Sequence, residues 1–189
     1  MPAKLLPSIF NDVIGPVMRG PSSSHSAASV RIGRLVHDLL GGQPDAVTID
    51  YDTQGSLATT HESQGTDIGL YAGFMGWEAD DERLPQAPRI IRDTGSHIEV
   101  RKPTLNDPHP NTYRIDAKRG DEHHQVIALS TGGGMIEVIE IDGIAVSLFG
   151  DYATTLIKAD SPPHEAAARL RERNDVDEVD VYGDGPGRI

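Results

Sequence analysis

The segment Gly20-Pro21-Ser22-Ser23-Ser24-His25-Ser26 gathers serine hydroxyls and an imidazole directly behind a Gly-Pro breaker. An apolar periodicity follows at Val30, Leu35, Val36, Leu39 and Leu40, and Gly41-Gly42 closes it. This pattern predicts a helix from about Ser24 to Leu40. Serine is a favoured N-cap because its oxygen accepts a free first-turn N–H. A helix beginning here also turns its positive dipole end and unpaired amides toward the same hydroxyls. Such an arrangement suits a carboxylate or a phosphate, with a titratable group beside it. The plainer alternative is a serine-rich cap carrying a surface histidine.

Further segments also place glycine and polar groups together. Gly55-Ser56-Leu57-Ala58 is followed by Gly65-Thr66-Asp67, which opens a second helix and offers either a simple cap or a second anion site at a helix start. In Asn106-Asp107-Pro108-His109-Pro110-Asn111-Thr112, prolines flank His109 on both sides, which fixes φ and removes backbone donors. The loop is expected to hold His109 and Asn111 rigidly outward, an imidazole and an amide suited to the amine and carboxylate of an amino acid. The plainer alternative is a stiffened hairpin loop. Ser130-Thr131-Gly132-Gly133-Gly134 lets a backbone approach a ligand or lets two strands change direction. It lacks the lysine and spacing of a phosphate-binding loop.

No metal ligand is assigned. His123 and His124 are adjacent and would face opposite sides of a strand. His61-Glu62 has no partner at helical spacing. A Ser-His-Asp hydrolase is disfavoured because neither Ser24 nor Ser56 sits in Gly-x-Ser-x-Gly.

The elements that must position these groups follow in order. Ser8 to Ile14 reads as a short helix or turn. After the first long helix, Ala46 to Tyr51 alternates as a strand, and the second helix runs through Ile68, Leu70, Tyr71, Phe74 and Met75. Trp77 to Arg92, charged and carrying prolines, reads as a surface linker. Strands are expected at His97–Arg101, Thr112–Ala117, Gln125–Ser130, Met135–Ile141 and Ile144–Phe149, with turns at Gly120-Asp121-Glu122 and Asp142-Gly143. The fold class is α+β, with helices on a mainly antiparallel sheet over residues 1–150. Residues 151–189 read as a separate β-α-β tail: a strand from Thr155 to Ala159, a helix from Pro163 through Leu170, and an edge strand from Val176 to Tyr182.

Composition narrows the function. The chain has 189 residues and a formal charge of −12. That charge argues against nucleic acid and against an anionic membrane surface. With no cysteine, this sequence offers no disulfide, thiolate zinc site or thiolate-held iron–sulfur cluster. No apolar run reaches membrane-spanning length and no secretory signal is seen, so a cytoplasmic location is expected.

In order, these blocks resemble the beta chain, or beta domain, of iron–sulfur-dependent bacterial L-serine dehydratases. The match lies in Ser8 to Gly15, in Gly20 to Ser26 against that family's Gly-Pro-Ser-Ser-Ser-His-Thr, and in Gly55 to Ala58. It continues through Gly65-Thr66-Asp67, His109-Pro110-Asn111-Thr112 and Gly132 to Ile136. Gln64 stands where the family has a histidine before Gly65. The resemblance implies a separate alpha chain that binds a [4Fe–4S] cluster, a hetero-oligomer, and conversion of L-serine to pyruvate and ammonia. It implies that Ser24, His25, Thr66 and Asp67 lie toward catalysis. It also implies that His109, Asn111 and Thr112, with Ser22 and Ser23, bind substrate or an allosteric amino acid. Many relatives end in a regulatory ACT domain, so the tail is expected to be a shortened ACT-like unit. Two other readings stay open: a stand-alone amino-acid or hydroxy-acid sensor, and a dehydratase subunit for a different β-hydroxy amino acid.

Overall fold

The first long helix, α1 (Ser23–Leu39), follows the break at Gly20-Pro21. It buries Ala28, Ile32 and Val36, spaced one turn apart, on the face that meets the sheet, and its C-cap Leu40 continues that row. A neighbouring stripe of Ser26, Val30 and Gly33 is also buried. That stripe meets the helix α3 (Thr66–Phe74). The approach is backbone to backbone. A Cβ at Gly73 would lie 2.3 Å from the Val30 carbonyl oxygen, one at Gly69 2.4 Å from that of Ser26, and one at Gly33 2.5 Å from that of Leu70. Side chains larger than hydrogen at those positions would push the helices apart.

The computed structural model describes residues 18–149, 155–157 and 163–182. The expected helix or turn at Ser8 to Ile14 lies outside them. The strands are β1 (Ala46–Asp50), β2 (His97–Arg101), β3 (Thr112–Arg119), β4 (Glu122–Gly132), β5 (Met135–Ile141) and β6 (Ile144–Leu148). They form one six-stranded sheet in the order β2-β1-β3-β4-β5-β6. Only the β1–β2 pair is parallel; the others are antiparallel. Strict alternation puts one apolar row across all of them, through Val100, Ile49, Ile115, Val126, Ile141 and Ile144. This row packs with Ile32 and Val36 of α1 and Leu70 and Phe74 of α3 in the main core. Burying such aliphatic side chains stabilises by about 1.5–3 kcal/mol each.

The link from β1 to β2 carries α2 (Leu57–Thr60), α3, a 3-10 turn (Leu84–Gln86) and α4 (Ala87–Asp93). Here the structure corrects the sequence reading of Trp77 to Arg92 as a linker. Pro88 stands in the first turn of α4, where a missing N–H costs nothing. Leu84 and Ala87 are buried with Val30 and Ala72, so this stretch closes a second small core. The expected turns form: Asp142 (φ 52°) and Gly143 (φ 77°) take the paired left-handed conformation of a tight hairpin.

In the tail, the helix appears as α5 (Pro163–Arg171). The described residues 155–157 and 176–182 do not pair as strands, which departs from the expected β-α-β pattern. Leu156 and Tyr182 instead pack against the main core as half-buried side chains. Alternating acidic and valine residues permit an edge strand but do not provide it with a partner.

Candidate functional site

The N-termini of α1 and α3, the chain leaving β1, and the β4–β5 turn meet at one end of the sheet. Ser22 has the extended backbone of an N-cap (φ −124°, ψ 104°), and its carbonyl accepts the Ser26 amide at 3.0 Å. Its hydroxyl does not cap the helix; it lies 2.8 Å from Nδ1 of His25. Among the described residues nothing accepts from the amides of Ser23, Ser24 or His25, and the first turn carries no acid. Among the described residues the positive end of α1 is therefore uncompensated.

The start of α3 lies against it. The Ser22 amide donates to the Gln64 carbonyl at 3.3 Å, and the Ser26 hydroxyl donates to the Gly65 carbonyl at 3.3 Å. Gly65 has φ 80°, and a Cβ there would lie 2.8 Å from Ser26 Oγ, so glycine is required on both grounds. The amides of Thr66 and Asp67 donate to the His61 carbonyl at 2.9 and 3.4 Å. They are engaged, which removes the suggested second anion site.

His61 is buried between Tyr51 and Asp67. Its ring centroid is 5.1 Å from that of Tyr51, and its Nδ1 is 2.8 Å from Asp67 Oδ2. Burial pushes the Asp67 carboxyl up from its ordinary range, and the His61 hydrogen bond works against that rise. His61, Glu62 and Asp67 bring possible ligand atoms within 4.8 Å of one another. Sequence reasoning gave His61 no partner because it tested helical spacing; Asp67 reaches it around the break at Gly65.

Beneath both helices, Tyr113 OH lies 3.1 Å from Ser29 Oγ, while the Ser29 hydroxyl donates to the His25 carbonyl at 2.8 Å. The tyrosine is thus the donor to Ser29. Burial pushes the Tyr113 phenol up to about 12. Tyr51, also fully buried, is raised further by burial, with Tyr113 and Asp67 adding to the effect.

The His109 loop is a separate arm of the same end. Asp52, buried just after β1, accepts the amides of Gln54 at 3.0 Å, Leu105 at 3.2 Å and Asp107 at 2.7 Å. These bonds, that of Gln54 first and then Asp107, hold its carboxyl below the ordinary range. Asp107 pairs with Arg114 at 2.5 Å. Within the loop the Asn111 amide donates to His109 Nδ1 at 3.1 Å, and the Thr112 hydroxyl donates to the His109 carbonyl at 2.7 Å. The Ser56 hydroxyl donates to the Asn111 side-chain oxygen. His109 and Asn111 are accordingly half-buried and folded onto neighbours, rather than held rigidly outward as the flanking prolines suggested. Among the described residues no hydrogen bond joins this loop to Ser22–His25 or to Thr66 and Asp67.

The triple glycine makes the β4–β5 turn, with all three residues at positive φ and a register shift between Ser130 and Gly132. A Cβ at Gly134 would meet Ala27 at 3.3 Å, so the turn closes against the first turns of α1. His123 and His124 bond different partners, Asp116 at 3.0 Å and Asp142 at 2.8 Å. No helix among the described residues is long and apolar enough to cross a membrane.

Comparison with known proteins adds the following. The family model described as serine dehydratase beta chain matches residues 11–101. The chain is 37% identical over 150 residues to the probable L-serine dehydratase beta chain of Bacillus subtilis, covering 79% of this chain and 67% of that protein. It is 33% identical over 150 residues to the L-serine dehydratase beta chain of Peptoniphilus asaccharolyticus, covering 78% and 66% respectively. It is also 28% identical over 148 residues to L-serine dehydratase TdcG of Escherichia coli, of which it spans 33%. The chain thus spans about two thirds of the length of the two beta chains.

Proposed function

We infer the function from one premise: the chain belongs to the serine dehydratase beta-chain family. We propose that it serves as the beta chain of a cytoplasmic, hetero-oligomeric L-serine dehydratase. The reaction removes water from L-serine, and the resulting enamine hydrolyses to pyruvate and ammonia. In this proposal an alpha chain holds a [4Fe–4S] cluster, since the donor set here, lacking cysteine, does not fit a thiolate-held cluster. When bound there, the cluster supplies a Lewis acid for the substrate hydroxyl.

Residues of this chain would bind and orient. Ser22, Ser23 and the open amides of α1 suit a carboxylate, with Ser24 and His25 at the same rim. Thr66 and Asp67, in the first turn of α3, which adjoins this rim through Gln64 and Gly65, are assigned in this proposal to the reacting groups. His109, Asn111 and Thr112 form the second arm, where an amino acid would bind as substrate or as regulator. The observation that carries the reading is the start of α1, uncompensated among the described residues, held against the start of α3 with its half-buried acid, within the stretch the family model matches.

The test is anaerobic co-expression of a tagged version of this chain with a cysteine-bearing alpha chain. Co-purification of both chains with iron, and release of pyruvate from L-serine, are expected. A pair that assembles with its cluster intact and releases no pyruvate from L-serine would remove the substrate assignment.

A further inference from the structure

Among the described residues no hydrogen bond runs directly between the His109 loop and the His61–Asp67 pair, but one turn of helix, α2, lies between them and is bonded to both. The segments leaving β1 and β2 are fastened side by side. The Thr53 amide donates to the Pro103 carbonyl at 2.9 Å, and Thr53 Oγ1 lies 2.9 Å from Thr104 Oγ1. The Ser56 amide donates to the Pro110 carbonyl at 2.9 Å. A Cβ at Gly55 would lie 2.8 Å from that same carbonyl oxygen, so the two backbones touch. Ser56 is the N-cap of α2, yet its hydroxyl caps nothing; it donates to the Asn111 side-chain oxygen. The Ser56 carbonyl accepts the Thr60 hydroxyl at 2.8 Å. Toward the other end of α2, the His61 amide donates to the Leu57 carbonyl at 3.0 Å and the Gln64 amide to the Thr60 carbonyl at 2.9 Å. The His61 carbonyl in turn accepts the Thr66 amide at 2.9 Å. Gly65, at φ 80°, then turns the chain so that Asp67 comes back onto His61 Nδ1.

We propose that α2 is a rigid link through which the His109 loop sets the position of the His61–Asp67 pair, with Ser56 as the positioning residue at the loop end. The proposal rests on the reading of both arms as parts of one amino-acid-handling subunit and adds what ties them together. Four residues make one turn, about 6 Å long, so a shift at Ser56 reaches His61 without a flexible stretch between. Leu57 and Ala58 are buried in the main core, which keeps the turn folded and leaves its two ends as the places where its position is adjusted. Ser56 itself is exposed, and water would satisfy its hydroxyl. Its bond to Asn111 therefore serves the loop rather than the core. Asn111 also donates its amide to His109 Nδ1 at 3.1 Å, so the residue that Ser56 grips is the one that holds the His109 ring.

The test is NMR on the full isotope-labelled chain without ligand. Ser56→Ala and Asn111→Ala each remove one side of the contact. Each should speed amide hydrogen exchange at Gln64 and Thr66, beyond the far end of α2, by about fivefold, as expected when one neutral hydrogen bond supporting the turn is lost. The double variant should exchange no faster than either single one, because both break the same link, whereas independent contributions would multiply. The Asp67 carboxyl should also titrate at higher pH in both single variants, because the His61 hydrogen bond that lowers it is loosened. Ser56→Thr keeps the hydroxyl and should restore both readouts. Thr53→Ala, which loosens the opposite end of the loop segment, should move neither. Asn111→Ala carries the test should Ser56→Ala fail to fold. Faster exchange confined to Ser56 and the loop, an unmoved Asp67 titration, or a multiplied effect in the double variant would each overturn the proposal. A pair that releases no pyruvate while the NMR pattern holds would remove the proposed reaction and leave the link in place.

Discussion

Gly73→Ala tests whether the helix pair that builds the site is as close as described. Alanine in a helix interior normally stabilises relative to glycine by about 1 kcal/mol. Here the added Cβ would lie 2.3 Å from the Val30 carbonyl oxygen and 2.8 Å from the Arg34 nitrogen and Gly33 Cα. All three are backbone atoms and cannot swing away, so α1 and α3 must separate. Overpacking of this kind costs roughly 1–3 kcal/mol, and a backbone clash belongs at or beyond the upper end. The net effect is a destabilisation of about 2 kcal/mol, or a Tm lower by roughly 4–8 °C for a chain of this size. Thermal and urea unfolding measure it. Gly95→Ala is the comparator: a Cβ there meets nothing within 4 Å, and only its φ of +88° opposes the change. Its cost should be about 1 kcal/mol. A Gly73→Ala chain that melts higher than the parent would refute the close approach and the site geometry that depends on it.

Asp52→Asn should speed hydrogen exchange at Leu105 and Asp107 by about tenfold at neutral pH, because the charged acceptor of those amides is lost. The folded carboxyl lies below its ordinary value of 3.8, so its stabilising effect is full above that pH and fades as pH falls through the lowered value. The variant should therefore lose less stability on acidification, as followed by acid titration of the fold. The phenols of Tyr71 and Tyr113 are pushed up to about 12. Their protonated forms favour the fold, so stability should decline as pH rises from about 10 toward 12, and Tyr113→Phe should make that decline shallower in alkaline unfolding curves. His109→Ala should weaken amino-acid binding by the assembled pair, read by calorimetry; an unchanged isotherm would leave His109 as a loop-closing residue.

Much of the frame was legible because period and punctuation agreed. Val30, Val36 and Leu40 marked α1, and alternation through Thr112–Ile141 marked the meander. α4 was missed because Pro88 reads as a breaker when its place in the first turn cannot be seen. The His61–Asp67 pair was missed for a related reason: His61 caps the end of α2 and Asp67 lies in the first turn of α3 across Gly65, so no single period contains them. Alternation placed Tyr113 on one face of its strand but could not show Ser29 of α1 waiting above it. The prolines around His109 were legible, whereas Asp52 and Ser56, which hold that loop from distant positions, belong to tertiary packing alone.

The central claim is that this polypeptide supplies one part of a two-part dehydratase. The most direct measurement is pyruvate release from L-serine by a fixed amount of cluster-loaded alpha chain as this chain is added in increasing proportion. The account predicts little turnover from either chain alone and a rise that saturates at a fixed ratio of the two. Full turnover by the alpha chain without this one, or by this chain without any partner, would contradict it.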